Sequence, residues 1–144
     1  MLKITNVTKT FNPGTITEKK ALLGIDLTLE DGDFVTVIGG NGAGKSTLLN
    51  LIAGVHSCDT GKIELNGINM TNMPEYRRAK YLGRVFQDPM LGTAANMEIE
   101  ENLAMAFRRG KTRSLAWGIK NSERNLYYEK LELLGLGLEK RMHS

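Results

Sequence analysis

Two hydrophobic periods divide the chain. In its first third Leu2, Ile4 and Val7 stand among threonine and lysine and run out near Phe11, which predicts a strand closed by the turn residues Asn12-Pro13-Gly14. Leu23, Ile25, Leu27 and Leu29 then alternate with Gly24, Asp26, Thr28 and Glu30 before Asp31-Gly32, the pattern of a second strand with one wet face. At residues 33–38 the alternation stops. Phe34-Val35-Thr36-Val37-Ile38 is a continuous apolar run and predicts a short strand covered on both faces. Half-buried alternation suits an antiparallel layer and the continuous run suits a parallel sheet, so an α/β fold with both kinds of sheet is expected.

Further along, residues 46–53 read as a helix closed by Gly54, and residues 59–67 as turn, short strand and turn that rejoin the antiparallel layer. Asn72-Met73-Pro74-Glu75 signals a helix start, with Asn72 as cap and the helix running through Lys80. Residues 81–86 are apolar enough for another core strand, which delivers Gln87-Asp88-Pro89 to its carboxyl end, where ligands of open α/β sheets sit. The remainder is helical in pattern. Ile99, Leu103 and Ala106 share a face over 98–107, and Leu126, Tyr127, Lys130, Leu131 and Leu134 recur at three-to-four spacing over 122–134.

The chemistry lies between the continuous run and the first helix. Gly39, Gly40, Asn41, Gly42, Ala43, Gly44, Lys45, Ser46 and Thr47 join them, giving strand, glycine turn and helix in the order a phosphate cradle requires. Glycine permits positive φ and lets backbone N–H groups approach phosphate oxygens with no Cβ in the way. The amides of residues 40–45, the positive end of the helix, the Lys45 ammonium and the Ser46 hydroxyl on Mg²⁺ each favour a nucleoside triphosphate. ATP and Mg²⁺ are the expected ligands.

Bulk composition changes this picture little. The 144 residues are the length of one domain, with 41% apolar and 24% charged residues, as in soluble globular chains. Nineteen basic against sixteen acidic residues leave a net charge of +3, too small to point to nucleic acid. Arg108, Arg109, Lys111, Arg113 and Lys120 surround Trp117, which reads as a solvated basic surface on a helical subdomain rather than a docking patch. Cys58 has no second cysteine to pair with and fits a reducing compartment as a small semi-buried thiol. No signal-peptide core and no run of membrane-spanning length appears, so membrane contact is expected to be peripheral. His56 and His143 read as surface histidines, and no metal-ligand cluster is evident.

Phe11, the loop at 39–47, Asp59-Thr60-Gly61 with Gly67, and Val85-Phe86-Gln87-Asp88-Pro89 occur in the order found in ATP-binding-cassette ATPases, and the chain resembles the first half of one. The resemblance implies a P-loop NTPase core over 1–86 and, over 87–144, the glutamine loop and the start of an α-helical subdomain. It implies that Phe11 stacks on adenine, a role for which core packing at a strand end is the alternative, and that Gln87 reaches Mg²⁺ and the attacking water. It further implies a transmembrane permease subunit and a second ATPase subunit as partners, a cytoplasmic place on the inner face of the cell membrane, and no nucleic acid. The segments at 83–95 and 108–111 look most like ATPases of bacterial importers paired with a lipid-anchored solute-binding protein, some linked to aromatic amino acids. A complete cassette of this kind goes on to a Leu-Ser-Gly-Gly-Gln-like signature, an aspartate-glutamate strand and a switch histidine. None precedes Ser144, so these residues read as an incomplete cassette with poor hydrolysis and marginal stability alone. Two other functions stay open: a module that holds nucleotide without turnover and regulates a full-length subunit, and a soluble cassette ATPase, against which the modest charge argues.

Overall fold

A computed structural model describes residues 1–111 and 118–142 in two compact units, Met1–Leu82 and Gly83–Ser144. Arg113, Trp117 and His143 lie outside the described residues, so the expectations placed on them end here.

In the first unit the antiparallel layer forms. Strands β1 (Leu2–Phe11), β2 (Lys19–Leu29), β3 (Thr60–Leu65) and β4 (Ile68–Asn69) make one sheet in the order β2-β1-β3-β4, every neighbouring pair antiparallel. Helix α1 (Lys45–Ala53) lays Leu48 and Leu51 against Ile4, Val7, Leu22, Ile63 and Met70, and these seven residues are the buried core. The burial follows the expected alternation in β1 and over Ile25, Leu27 and Leu29. It breaks at Leu23, which is 77% exposed while its neighbour Leu22 is 5% exposed. The cause is a pair of bulges. Register shifts occur on either side of Val7, and Gly24 takes φ 97°, a left-handed conformation that flips the alternation and turns Leu22 inward.

The segments expected to build the parallel sheet differ from that expectation. Residues 33–38 and 82–86 form no strand, and Phe34, Ile38 and Val85 are 95%, 90% and 97% exposed. The physical reason is pairing: no described segment offers either stretch a ladder, and apolar character alone does not satisfy backbone N–H and C=O groups. The helix predicted from Asn72 is also shorter. It is a single turn, α2 (Glu75–Arg78), capped at Pro74.

Arg78, the last residue of that turn, is buried. Its side chain is 2% exposed, and its guanidinium donates to the carbonyl oxygens of Leu51 (2.7 Å), Ile52 (2.9 Å), Thr71 (3.1 Å) and Met73 (2.6 Å). Two of those carbonyls belong to the last turn of α1, the negative end of its dipole, so the cation closes the helix that the glycine loop opens. Burial pulls its pKa below the usual arginine range, yet a guanidinium keeps its charge.

The second unit begins with a one-turn 3₁₀ helix, Pro89–Gly92, capped by Asp88, whose carboxylate accepts from the Met90 amide at 2.9 Å. Helices α3 (Ile99–Phe107) and α4 (Asn121–Glu132) follow and bury Ala104, Tyr127 and Leu131 with Met142. The buried stripe of α3 is rotated from the predicted one: Ala106 is exposed, whereas Glu100 is 4% exposed. Glu100 is tolerated inside because Arg124 reaches it with two nearly parallel bonds, Nε at 3.0 Å and Nη2 at 2.9 Å. Lys130 on α4 is exposed, and Leu134 lies beyond the helix end and is exposed too, so the inward face is narrower than the spacing suggested. Of the basic run, Arg108 pairs with Glu123 at 2.9 Å and Lys111 lies 3.6 Å from the centroid of the Phe107 ring; Arg109 and Lys120 are exposed. No helix among the described residues is long and apolar enough to cross a membrane.

Candidate functional site

The site is assembled on β2 and α1. Residues 39–44 turn tightly into α1, with Gly42 and Gly44 both at φ 83°. Gly44 is required twice over: its backbone is left-handed, and a Cβ there would stand 2.6 Å from the Ala21 carbonyl oxygen and 2.9 Å from Leu22 Cδ2. The loop is thus pressed onto β2, which fixes where α1 begins. Ala43 donates to Gly40 at 3.2 Å and Leu48 to Gly44 at 2.8 Å, closing the turn and the first helical bond. The amides of Asn41, Gly42 and Gly44 carry no hydrogen bond within the described residues. Such amides are the donors an anion recruits.

Lys45 begins α1 and folds back over the loop, where its ammonium donates to the carbonyl oxygens of Gly39 (2.5 Å) and Gly40 (2.8 Å). Ser46 and Thr47 occupy the first helical turn, Ser46 exposed and Thr47 half-buried. The donor set fits a polyphosphate with a divalent cation: free amides, an ammonium already gathering oxygen acceptors, and a hydroxyl at a helix start.

Phe11 is the last residue of β1 and is half-buried, outside the apolar core. Its ring meets His56 edge-on, with centroids 5.4 Å apart and planes at 80°, and Lys9 Nζ lies 5.6 Å from its centroid. His56 is therefore half-buried against an aromatic ring rather than simply surface-placed. Lys9 is steadied by Asp59 at 3.0 Å, and Asp59 also accepts from the Thr10 amide at 2.6 Å. That amide bond, first, and then Lys9 hold the Asp59 carboxyl below its ordinary value of 3.8. The structure thus runs residues 39–44 as one loop directly into Lys45, Ser46 and Thr47 of α1, and Asp59 anchors the strand end that carries Phe11. Gln87 is exposed in the second unit, just ahead of the Asp88-capped turn.

Sequence reasoning missed Arg78 and Lys19. Arg78 carries no signal, since an arginine in a short polar helix reads as solvated. Lys19 opens β2 opposite Phe11, and its Nζ lies 3.5 Å from the point a Gly42 Cβ would occupy. Its only hint was a Lys19-Lys20 pair ahead of the alternating run.

The family model described as ABC transporter matches residues 22–143. A tyrosine transport ATP-binding protein of Clostridioides difficile is 43% identical over 145 residues, covering 97% of this chain and 55% of that protein. A spermidine/putrescine import ATP-binding protein, PotA, of Trichormus variabilis is 38% identical over 112 residues, covering 78% of this chain and 27% of that protein. The chain thus spans about half the length of the first relative and less of the second. Among solved structures, MJ1267, an ATP-binding cassette of an ABC transporter, superposes with a TM-score of 0.75 at 27% identity, over 100% of this chain and 57% of that one. The cassette MJ0796, in a dimeric post-hydrolysis state bound to ADP and Pi, gives 0.67 at 28% identity, over 91% of this chain and 56% of its own. With a P-loop NTPase fold matched in solved cassettes and a family match over most of its length, this chain belongs to the ABC transporter ATPase family.

Proposed function

We propose that residues 1–144 are the ATP-binding part of an importer ATPase that couples nucleotide binding and hydrolysis to solute uptake through a transmembrane permease. One observation carries the reading: a glycine loop with unengaged amides is pressed by Gly44 onto β2, and Lys45 folds its ammonium over it. In this reading Gly39, Gly40, Asn41, Gly42, Ala43 and Gly44 wrap the phosphates with their amides, and Lys45 neutralises the β- and γ-phosphates. Ser46 and Gln87 serve Mg²⁺, Thr47 supports the phosphate site, and Phe11 stacks on adenine. The bound metal ion would screen the phosphate charge.

Hydrolysis and transport belong to the whole cassette with a second ATPase subunit, a permease and, indirectly, a solute-binding protein, at the cytoplasmic face of the membrane. The relative from Clostridioides difficile, whose name gives tyrosine transport, supports an aromatic amino acid as cargo. No nucleic-acid partner is proposed.

The test is titration of the 144-residue chain with ATP in the presence and absence of Mg²⁺, beside Lys45→Ala. Micromolar binding that weakens by about 100-fold in the variant, at unchanged melting temperature, is the expected result. Equal affinities would remove the loop from the nucleotide site. Phe11→Ala is expected to weaken ATP by about 10-fold and to leave inorganic triphosphate unaffected.

A further inference from the structure

We infer that Lys19 is a second cation of the phosphate site, set between Phe11 and the glycine loop so that its ammonium takes an oxygen of the phosphate nearest the nucleoside; this rests on the ATP-binding reading above. Three observations converge. Lys19 is the direct cross-strand partner of Phe11, so the two Cα atoms face each other where β1 ends and β2 begins. Its Nζ reaches the glycine loop, 3.5 Å from where a Cβ on Gly42 would stand. It is exposed, and its ammonium has no ion pair or hydrogen bond among the described residues, in contrast to Lys9, which is tied to Asp59, and Lys62, which is tied to Glu64.

The position defines the task. Lys45 stands at the helix start and binds the Gly39 and Gly40 oxygens, whereas Lys19 reaches the loop at Gly42, from the strand whose first residue pairs with Phe11. A base stacked on that ring, followed by a polyphosphate running into the loop, passes Lys19 at its first phosphate. An ammonium on a four-carbon stem suits this place: it is a point charge with three donors that adapts to an oxygen without needing a planar fork. Glycine at 42 leaves that approach open.

Titrating ATP, ADP and AMP at low salt into the 144-residue chain, Lys19→Gln, Lys19→Glu and Lys20→Gln tests this. Lys20 is the control, since it is exposed and its side chain alternates to the other face of β2. Lys19→Gln should weaken all three nucleotides by a common factor of about five and Lys19→Glu by about thirty, with a shallower fall of affinity on adding salt. Lys20→Gln should stay within about two-fold of the parent chain. A loss in Lys19→Gln no larger than in Lys20→Gln overturns the assignment. Loss of ATP affinity with AMP affinity intact overturns the placement at the first phosphate. Failure of the parent chain to bind nucleotide, or an unaltered Lys45→Ala, refutes the underlying reading, and Lys19 falls with it; normal Lys45 dependence with an indifferent Lys19 refutes only the inference.

Discussion

Two apolar stretches of the first unit have met opposite fates. Ile4, Val7 and Ile63 lie in β1 and β3 and are 2%, 0% and 1% exposed. Phe34 and Ile38, in an equally apolar run that sequence patterning reads as the more buried strand, are 95% and 90% exposed. Side-chain character does not separate them, because all are β-branched, aromatic or aliphatic residues of high strand propensity. Partners do. Ile4 pairs with Leu27 on one side and Ile63 on the other, so its backbone groups are satisfied and its side chain meets α1. The run at 33–38 has no ladder among the described residues. A strand is therefore a relation between segments, and a continuous hydrophobic run states a need for cover without supplying it.

The comparison is broken most severely by attacking the paired stretch. Ile63→Ala deletes a side chain that is closed in by sheet and helix and should cost about 3 kcal/mol in a urea titration of the 144-residue chain. A loss below about 1 kcal/mol would mean that the sheet core is not what organises this unit. Next in size is Arg78→Met, which keeps bulk but removes the donors of four carbonyl oxygens. About 2 kcal/mol of destabilisation is expected, with faster amide exchange in the last turn of α1. Arg78→Lys should recover less than about half of it, since one ammonium cannot reproduce the fork.

What could be read in advance follows the same division. The strand at β1, the helix opened by the glycine loop and closed at Gly54, and the return through β3 to the sheet are all local signals, carried by alternation and turn residues within each segment. The glycine loop and the helix start it opens are legible for the same reason, because Gly39 to Thr47 are contiguous. Features that depend on a distant residue were not legible. Leu22 replaces Leu23 in the core because of bulges near Val7 and at Gly24. Glu100 is buried with its carboxylate held by Arg124, 24 residues away. Arg78 is buried by carbonyls from two separate segments. Lys19 acquires its position from the fold of the loop over β2, which no spacing in the sequence records.

Asp59 sharpens the comparison at the strand end that carries Phe11. Its carboxyl is held below its ordinary value by the Thr10 amide and Lys9, so the ionised form is preferred in the folded chain. The sign follows: the contribution is present in full above pH 3.8, the ordinary value, and is lost as pH falls through the lower folded value. The Asp59 side chain is 38% exposed, so after solvent screening the term is at most about 1 kcal/mol. Asp59→Asn should lower the melting temperature at neutral pH, and the difference from the parent chain should close in acid. A difference that persists unchanged below the carboxylate range would assign the loss to packing.

The smallest effect is the most pointed. If Phe34 and Ile38 lack partners, replacing both with serine removes no buried contact, and the stability of the 144-residue chain should move by less than about 0.5 kcal/mol. Solubility should rise, because a contiguous apolar run with no strand partners is a site for pairing with other chains. The same pair of substitutions in a longer protein that supplies the absent ladder should cost about 4 kcal/mol or more, since each side chain would then be removed from a closed core. A large loss in the 144-residue chain itself would show that these residues are covered without a ladder, and the claim that pairing decides burial here would fail.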